Sequence, residues 1–259
     1  MKVILVDSNL GLVRLWRQRF KDYKHVTVYS CSFISLDSHL QQTTRTSAVV
    51  SPGNSFGWLG GGFDLALKKY FGGSSFEQFF RDKLGQLYKP VGAATVVDLG
   101  KWQRGTFRYI VHVPTIVAPS RPFYVEERPV ETGYNLVFNV TWNALMSLPE
   151  DVDTLVIPGL GTGYVGVPEE VSSKSMEFAI RLFFARDTIS IELMNAVIQQ
   201  FLGYRFDGFI SRKCLDECTV VGIDHKALLT YNVCNDPISN LLPSDSLLGR
   251  TTDAYQVER

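Results

Sequence analysis

Short unbroken apolar runs alternate along this chain with longer stretches whose apolar residues recur every three or four positions. Runs at 3–6, 26–29, 48–50, 93–97, 109–113 and 154–157 predict strands, and the short, purely apolar runs at 3–6 and 48–50 read as buried ones. Helical spacing predicts helices from just after Asn9 through Phe20, over 36–42, from Asp64 to the double stop Gly72-Gly73, over 74–88, over 132–148 and from Pro168 to Ala185. Ser74 and Glu77 have capping-box spacing at the start of the fourth. A polar turn at 101–105 joins two strands, and the proline- and charge-rich segment 114–129 reads as a long surface loop. Strands alternating with helices predict an α/β domain with helices on both sheet faces. Beyond Asp187 the pattern weakens to a helix at 189–202, a strand at 219–223 and, from Asn235, a partly disordered tail. The expected organisation is a main domain at 1–188 and an extension at 189–259, packed on it or standing as a small appendage.

One stretch of this pattern is organised around glycine. A buried strand breaks on Pro52-Gly53, the triplet Gly60, Gly61 and Gly62 follows, and Phe63-Asp64 opens an apolar helix. A strand, a glycine turn and a helix start make an anion site, because unpaired N–H groups and the helix dipole point one way. Asn54 and Asp64 flank the glycines with an amide and a carboxylate. Alone, Asp64 reads as a first-turn residue and Asn54 as a turn former bonding its own backbone. Together, around a triple glycine after a buried strand, they read as a site. The strand at 154–157 runs into a second such loop, with Gly161, Thr162, Gly163, Tyr164, Val165 and Gly166 before Pro168. Ligands of α/β sheets gather where loops leave the carboxyl ends of strands, so both loops are expected to share one crevice.

Composition narrows the picture. The chain has 259 residues, 45% hydrophobic and 12% aromatic, enough for a sizeable core. Its 26 basic and 26 acidic side chains balance, which argues against direct nucleic-acid binding. The apolar start is too short for a signal peptide and no run is long enough to span a membrane, so an intracellular protein, cytoplasmic or nuclear, is the expectation. Cys214, Cys218, His225 and Cys234 could in principle surround a zinc ion, but they lack paired Cys-x-x-Cys spacing and cysteine is commonly a small buried hydrophobe, so no metal is expected.

Gly161-x-Gly163-x-x-Gly166 after a strand matches the dinucleotide fingerprint. Pro168 intervenes before the helix and no acidic residue ends a following strand, so a nicotinamide oxidoreductase is a minor reading and no cofactor is expected. The glycines can still cradle a diphosphate through backbone N–H groups. No P-loop occurs, Asp151 and Asp153 read as a solvated turn, and His112 inside its strand reads as a satisfied core residue.

Val50-Ser51-Pro52-Gly53-Asn54 followed by Gly60-Gly61-Gly62-Phe63-Asp64 resembles the macrodomain signature Asn-Ala-Ala-Asn … Gly-Gly-Gly-Val-Asp, with the same interval of ten residues between Asn54 and Asp64. Residues 158–168 resemble the second macrodomain loop, and Ile110-Val111-His112 resembles the strand between them. The resemblance implies a three-layer α/β/α sandwich with a mixed, largely parallel sheet that binds ADP-ribose or a derivative. It assigns Asn54 to the distal ribose, Asp64 to the activation of water near its anomeric carbon, and the second loop to the diphosphate. Phosphate release from ADP-ribose 1''-phosphate, a by-product of tRNA splicing, is the first expectation. An ADP-ribosyl or O-acetyl-ADP-ribose hydrolase and a non-catalytic binder are the alternatives. At a helix N-terminus Asp64 is expected to stay ionised, ready to accept a proton. Ser51 stands where the family has its first Asn. Cys31-Ser32-Phe33 replaces the usual adenine-holding Asp-Ile pair, leaving Asp7, Ser32 and Phe33 as adenine candidates.

Overall fold

A computed structural model describes residues 1–40, 46–205, 208 and 210–242. The chain forms two compact units, Met1–Glu177 and Phe178–Arg259.

In the first unit, six strands make one sheet: Lys2–Asp7 (β1), Val26–Ser30 (β2), Ser47–Ser51 (β3), Thr95–Asp98 (β4), Phe107–His112 (β5) and Thr154–Ile157 (β6). Their order is β2-β1-β6-β3-β5-β4, and every neighbouring pair is parallel except β4 and β5. The inner strands β3 and β6 are buried along their whole length, as their unbroken apolar runs require. Each such valine or leucine contributes about 1.5–3 kcal/mol by leaving water.

Residues alternate between the faces. Ile4, Val6, Val49, Ile110 and Val156 point to one side, where Phe33–Leu40 (α2), Gly62–Phe71 (α3) and Gly73–Lys83 (α4) bury Leu36, Leu67, Phe71, Phe76 and Phe80 against them. The other face is covered by Leu10–Arg19 (α1), Asn135–Met146 (α5), which follows a π-type turn at Val130–Tyr134, and the first half of Glu169–Ala185 (α6). Arg19 ties α1 to α6, reaching Glu170, Glu177 and Ser173. This is the expected three-layer α/β/α sandwich around a mixed, largely parallel sheet.

Three local expectations are corrected. The helix over 74–88 begins at Gly73 and stops at Lys83, because Gly85 (φ 73°) and Gln86 (φ 53°) reverse the chain. Glu77 is no capping-box partner: it accepts from Leu59 N–H (2.7 Å) and from Lys68 Nζ (2.7 Å), pinning the stretch before the glycine triplet onto α3 and α4. The short helix over 36–42 starts three residues early, and its end at 41–42 lies outside the described residues.

The described residues of the second unit are helical: the end of α6, then Ile191–Phe201 (α7), Arg212–Val221 (α8) and His225–Leu229 (α9). The strand expected at 219–223 is instead the end of α8. Ser211 caps that helix, Cys214 and Cys218 lie one turn apart on its buried side, and Gly222 (φ 78°) closes it by donating to Cys218 O. Capping and helical burial override the β-branched run Thr219-Val220-Val221, whose Val220 is exposed. The tail beyond 242 lies outside the described residues. No helix among the described residues is long and apolar enough to cross a membrane, and no group of three metal-ligating side chains occurs among them.

Candidate active site

The carboxyl ends of β3, β5 and β6 open onto one cleft of about 450 Å³. Both glycine loops line it: Gly60, Gly61, Gly62, Phe63 and Asp64 from the first, Gly159, Gly161, Gly163, Tyr164 and Val165 from the second. Loops leaving parallel strands at the same sheet edge must converge, and these do. Thr162 and Gly166 are not among the lining residues. Gly166 donates to Gly163 O (3.0 Å) and Val167 to Gly161 O (3.0 Å), folding the loop into a tight double turn. Gly161 sits at φ 74° in that turn, where a side chain would be strained.

The loop backbones are left free to donate. Among the described residues, N–H groups of Gly161, Thr162, Gly163, Tyr164 and Val165 donate to no other protein group, and neither do those of Gly60 and Gly61. Gly61 caps α3 without a side-chain bond, so the helix start also faces outward unsatisfied.

Asp64 is in the first turn of α3 and 6% exposed, at the cleft floor. It accepts a hydrogen bond from Ser51 Oγ at 3.0 Å. Burial pushes its pKa up to about 7, and the Ser51 bond pulls back only part of that rise. The expectation of a permanently ionised Asp64 is therefore corrected: loss of hydration outweighs the helix start, and the carboxyl titrates near neutrality. Gly53 covers it so closely that a Cβ there would overlap Asp64 Oδ2.

Asn54 lines the cleft, but its amide is engaged within its own loop. It accepts from Phe56 N–H (3.1 Å) and Trp58 N–H (3.3 Å) and donates to Trp58 O (2.7 Å). It holds the turn that carries Phe56 and Trp58 to the rim, which is the plainer of the two sequence readings.

The three adenine candidates are not brought to the cleft wall. Phe33 is 2% exposed and packs on Phe63, Tyr70 and Phe107 in the core. Ser32 bonds Ser35 at the start of α2. Asp7 accepts from Asn9 N–H (2.8 Å) and Gly159 N–H (3.1 Å), so it anchors the second loop. What the sequence reading missed is the exit of β5. Thr115, Ile116, Ala118 and Pro119 form a wall, held to the first loop by Thr115 N–H to Gly53 O (3.0 Å), Thr115 Oγ1 to Pro52 O (2.7 Å) and Ser55 N–H to Ile116 O (3.0 Å). The rule that placed the other two loops applied equally to this strand end, but proline and charge concealed it.

The family model for the Macro-like domain matches residues 1–249. The chain belongs to the Macro-like domain family. An uncharacterised protein of Aquifex aeolicus (strain VF5) is 34% identical over 136 residues, 52% of this chain and 73% of that protein. Similar solved structures include the macrodomain of Mycobacterium tuberculosis DarG, at 20% identity over 53% of this Macro-like chain and 83% of that one, with a TM-score of 0.41. The Oceanobacillus iheyensis macrodomain with ADP is 21% identical over 52% of this chain and 68% of its own, with a TM-score of 0.42.

His112 of this Macro-like domain lies beside the site. It is fully buried in β5, opposite Ser51 in the β3 register. Its Nδ1 is 3.2 Å from Ser51 Oγ, and Phe80 meets its ring edge-on. Burial lowers its pKa to about 4, with the charge of Lys89 acting in the same direction, so the ring is neutral at pH 7.

Proposed function

We propose that this Macro-like domain binds ADP-ribose in the cleft and hydrolyses the bond between its distal ribose and a group that carries no charge beside that bond while attached. The observation that carries this reading is the meeting of two bends with free N–H groups over a single carboxyl at the floor. Backbone N–H groups suit a diphosphate, whose charge needs donors but no cation. A carboxyl titrating near neutrality is suited to taking a proton from water as that water attacks the anomeric carbon, while the bond to the leaving oxygen breaks and its electron pair departs with that oxygen as the carboxylate of an ester conjugate.

The choice of leaving group rests on charge. Asp64 is the one carboxyl among the lining residues, and none of them is Lys or Arg. A 1''-phosphate dianion beside Asp64 would be repelled by about 1–4 kcal/mol per charge pair at 4 Å, with no side-chain cation among the lining residues to offset it. An ester or glycosidic conjugate carries no such charge. ADP-ribosyl conjugates are therefore favoured over the 1''-phosphate and its link to tRNA splicing.

The test is a thermal-shift panel of ADP-ribose, ADP-ribose 1''-phosphate, NAD and AMP, followed by product analysis. ADP-ribose at 100 times its Kd is expected to stabilise the protein by about 3 kcal/mol, and AMP by much less. ADP-ribose release from an ADP-ribosylated peptide is expected to outpace phosphate release from the 1''-phosphate. Faster phosphate release would reverse the choice of leaving group, and no shift with ADP-ribose would remove the reading.

Gly53→Ala tests the floor of the same cleft. Gly53 is not in the left-handed conformation, so the variant is expected to fold, and its methyl must displace the Asp64 carboxyl. Misplacement on this scale costs about 10²-fold in turnover. ADP-ribose binding measured by calorimetry is expected to fall far less.

A further inference from the structure

We infer that Ser51 and His112 are positioning residues that govern the protonation of Asp64, through a hydrogen-bonded chain whose direction reverses when the carboxyl gains or loses its proton. Their part in turnover rests on the hydrolytic reading above; the chain itself stands on geometry.

Three groups from three elements meet in line. Ser51 Oγ in β3 is 3.0 Å from Asp64 Oδ1 in α3 and 3.2 Å from His112 Nδ1 in β5. Ser51 and His112 are both fully buried, so water cannot substitute for either bond. The groups facing Asp64 are Ser51 and Gly53. Those facing the ring are Ser51, Phe80 of α4 and the backbone of Asn54, and the charge acting on it is that of Lys89. His112 Nε2 has no partner of hydrogen-bonding geometry among the described residues.

A serine hydroxyl has one proton to donate. When Asp64 is ionised, Ser51 O–H donates to the carboxylate, and among the described residues the group left to satisfy the serine oxygen is His112 Nδ1–H. The ring then carries its lone pair on Nε2. When Asp64 is protonated, its O–H donates to Ser51 Oγ, the serine proton turns to the Nδ1 lone pair, and the ring hydrogen resides on Nε2. The ring stays neutral in both states. One proton is gained in all, and it is on Asp64, while the ring hydrogen leaves Nδ1 and another is taken up at Nε2 by exchange with water during brief openings of the buried site. Because Nε2 has no partner of hydrogen-bonding geometry, the ring can follow the carboxyl.

The prediction is read by ¹⁵N-histidine NMR from pH 5.5 to 8.5, without any ligand. The chain has four histidines, and the His112 signals are those missing from His112→Gln. In the wild-type protein they are expected to change from the Nε2–H to the Nδ1–H pattern with a midpoint near the Asp64 pKa of about 7. Asp64→Asn and Ser51→Ala are expected to abolish that change, and Ser51→Thr to restore it. A ring fixed in one tautomer throughout the wild-type titration, or one still switching in folded Ser51→Ala, would overturn the proposal. If the conjugate proves to be a substrate, the pH midpoint of kcat should move upward in Ser51→Ala, because the bond that lowers the Asp64 pKa is gone. An unmoved midpoint would likewise overturn it. A protein that switches tautomer but turns nothing over would sink the hydrolytic reading alone.

Discussion

Asp64→Asn is expected to lower kcat for an ADP-ribosyl conjugate by about 10³-fold, leaving the Kd for ADP-ribose within about tenfold. General-base catalysis by a positioned side chain contributes roughly 10²–10⁴-fold, and Asp64 is the carboxyl at the cleft floor. The amide keeps the volume of the carboxyl and can still bond Ser51, so the floor is not emptied. Affinity is assigned to the free N–H groups of the two loops, which the substitution does not touch. Single-turnover release of ADP-ribose, with calorimetry on the same preparations, separates the two quantities. A variant that kept more than a tenth of the rate would place the base elsewhere.

The second large effect is on stability against pH, and it appears only when the pair is broken. Asp64 rises from 3.8 in the unfolded chain to about 7 in the folded one, so between these values the folded state holds an extra proton. Its contribution is fully present below pH 4 and is lost as pH rises through 7. His112 falls from 6.5 to about 4, so between those values the unfolded chain holds the extra proton. Its contribution is present above pH 6.5 and is lost as pH falls through 4. Over pH 4–6.5 the two slopes oppose each other at about 1 kcal/mol per pH unit each. Wild-type denaturant midpoints are expected to be nearly flat there with respect to this pair. Asp64→Asn should gain stability with rising pH over that range, and His112→Gln should lose it. Parallel slopes in the two variants would show that the groups do not titrate as described.

Much of the sandwich was legible because its signals are physical and local. Continuous apolar runs located the inner strands, β3 and β6 above all, since a strand covered on both faces has no polar position to alternate with, while the edge strands β2 and β4 showed as shorter, mixed runs. Asp64 and the glycine bends were legible for the same reason: a helix start and a strand exit punctuate the chain. The readings that failed each depended on a partner distant in sequence. Glu77 has capping-box spacing, yet Leu59 and Lys68 claim its carboxylate. Phe33 sits where an adenine contact was expected, yet Phe63, Tyr70 and Phe107 enclose it. The ionisation of Asp64 depends on its depth, which no spacing encodes. His112 looked like an ordinary core histidine because its neighbour across the sheet is 61 residues away.

The pairing of β3 with β5 has a consequence for how such a site can change. Ser51 faces His112 because the two parallel strands are in that register, and β3 is also clamped on its other side by β6. A slip of one residue would send the serine and the imidazole to opposite faces of the sheet. The ladder thus serves as a ruler for the acid–base groups, as unyielding as the most deeply buried strand of the molecule. Under the proposed hydrolysis, substitutions in the rim loops are expected to change which conjugate is accommodated without disturbing that register.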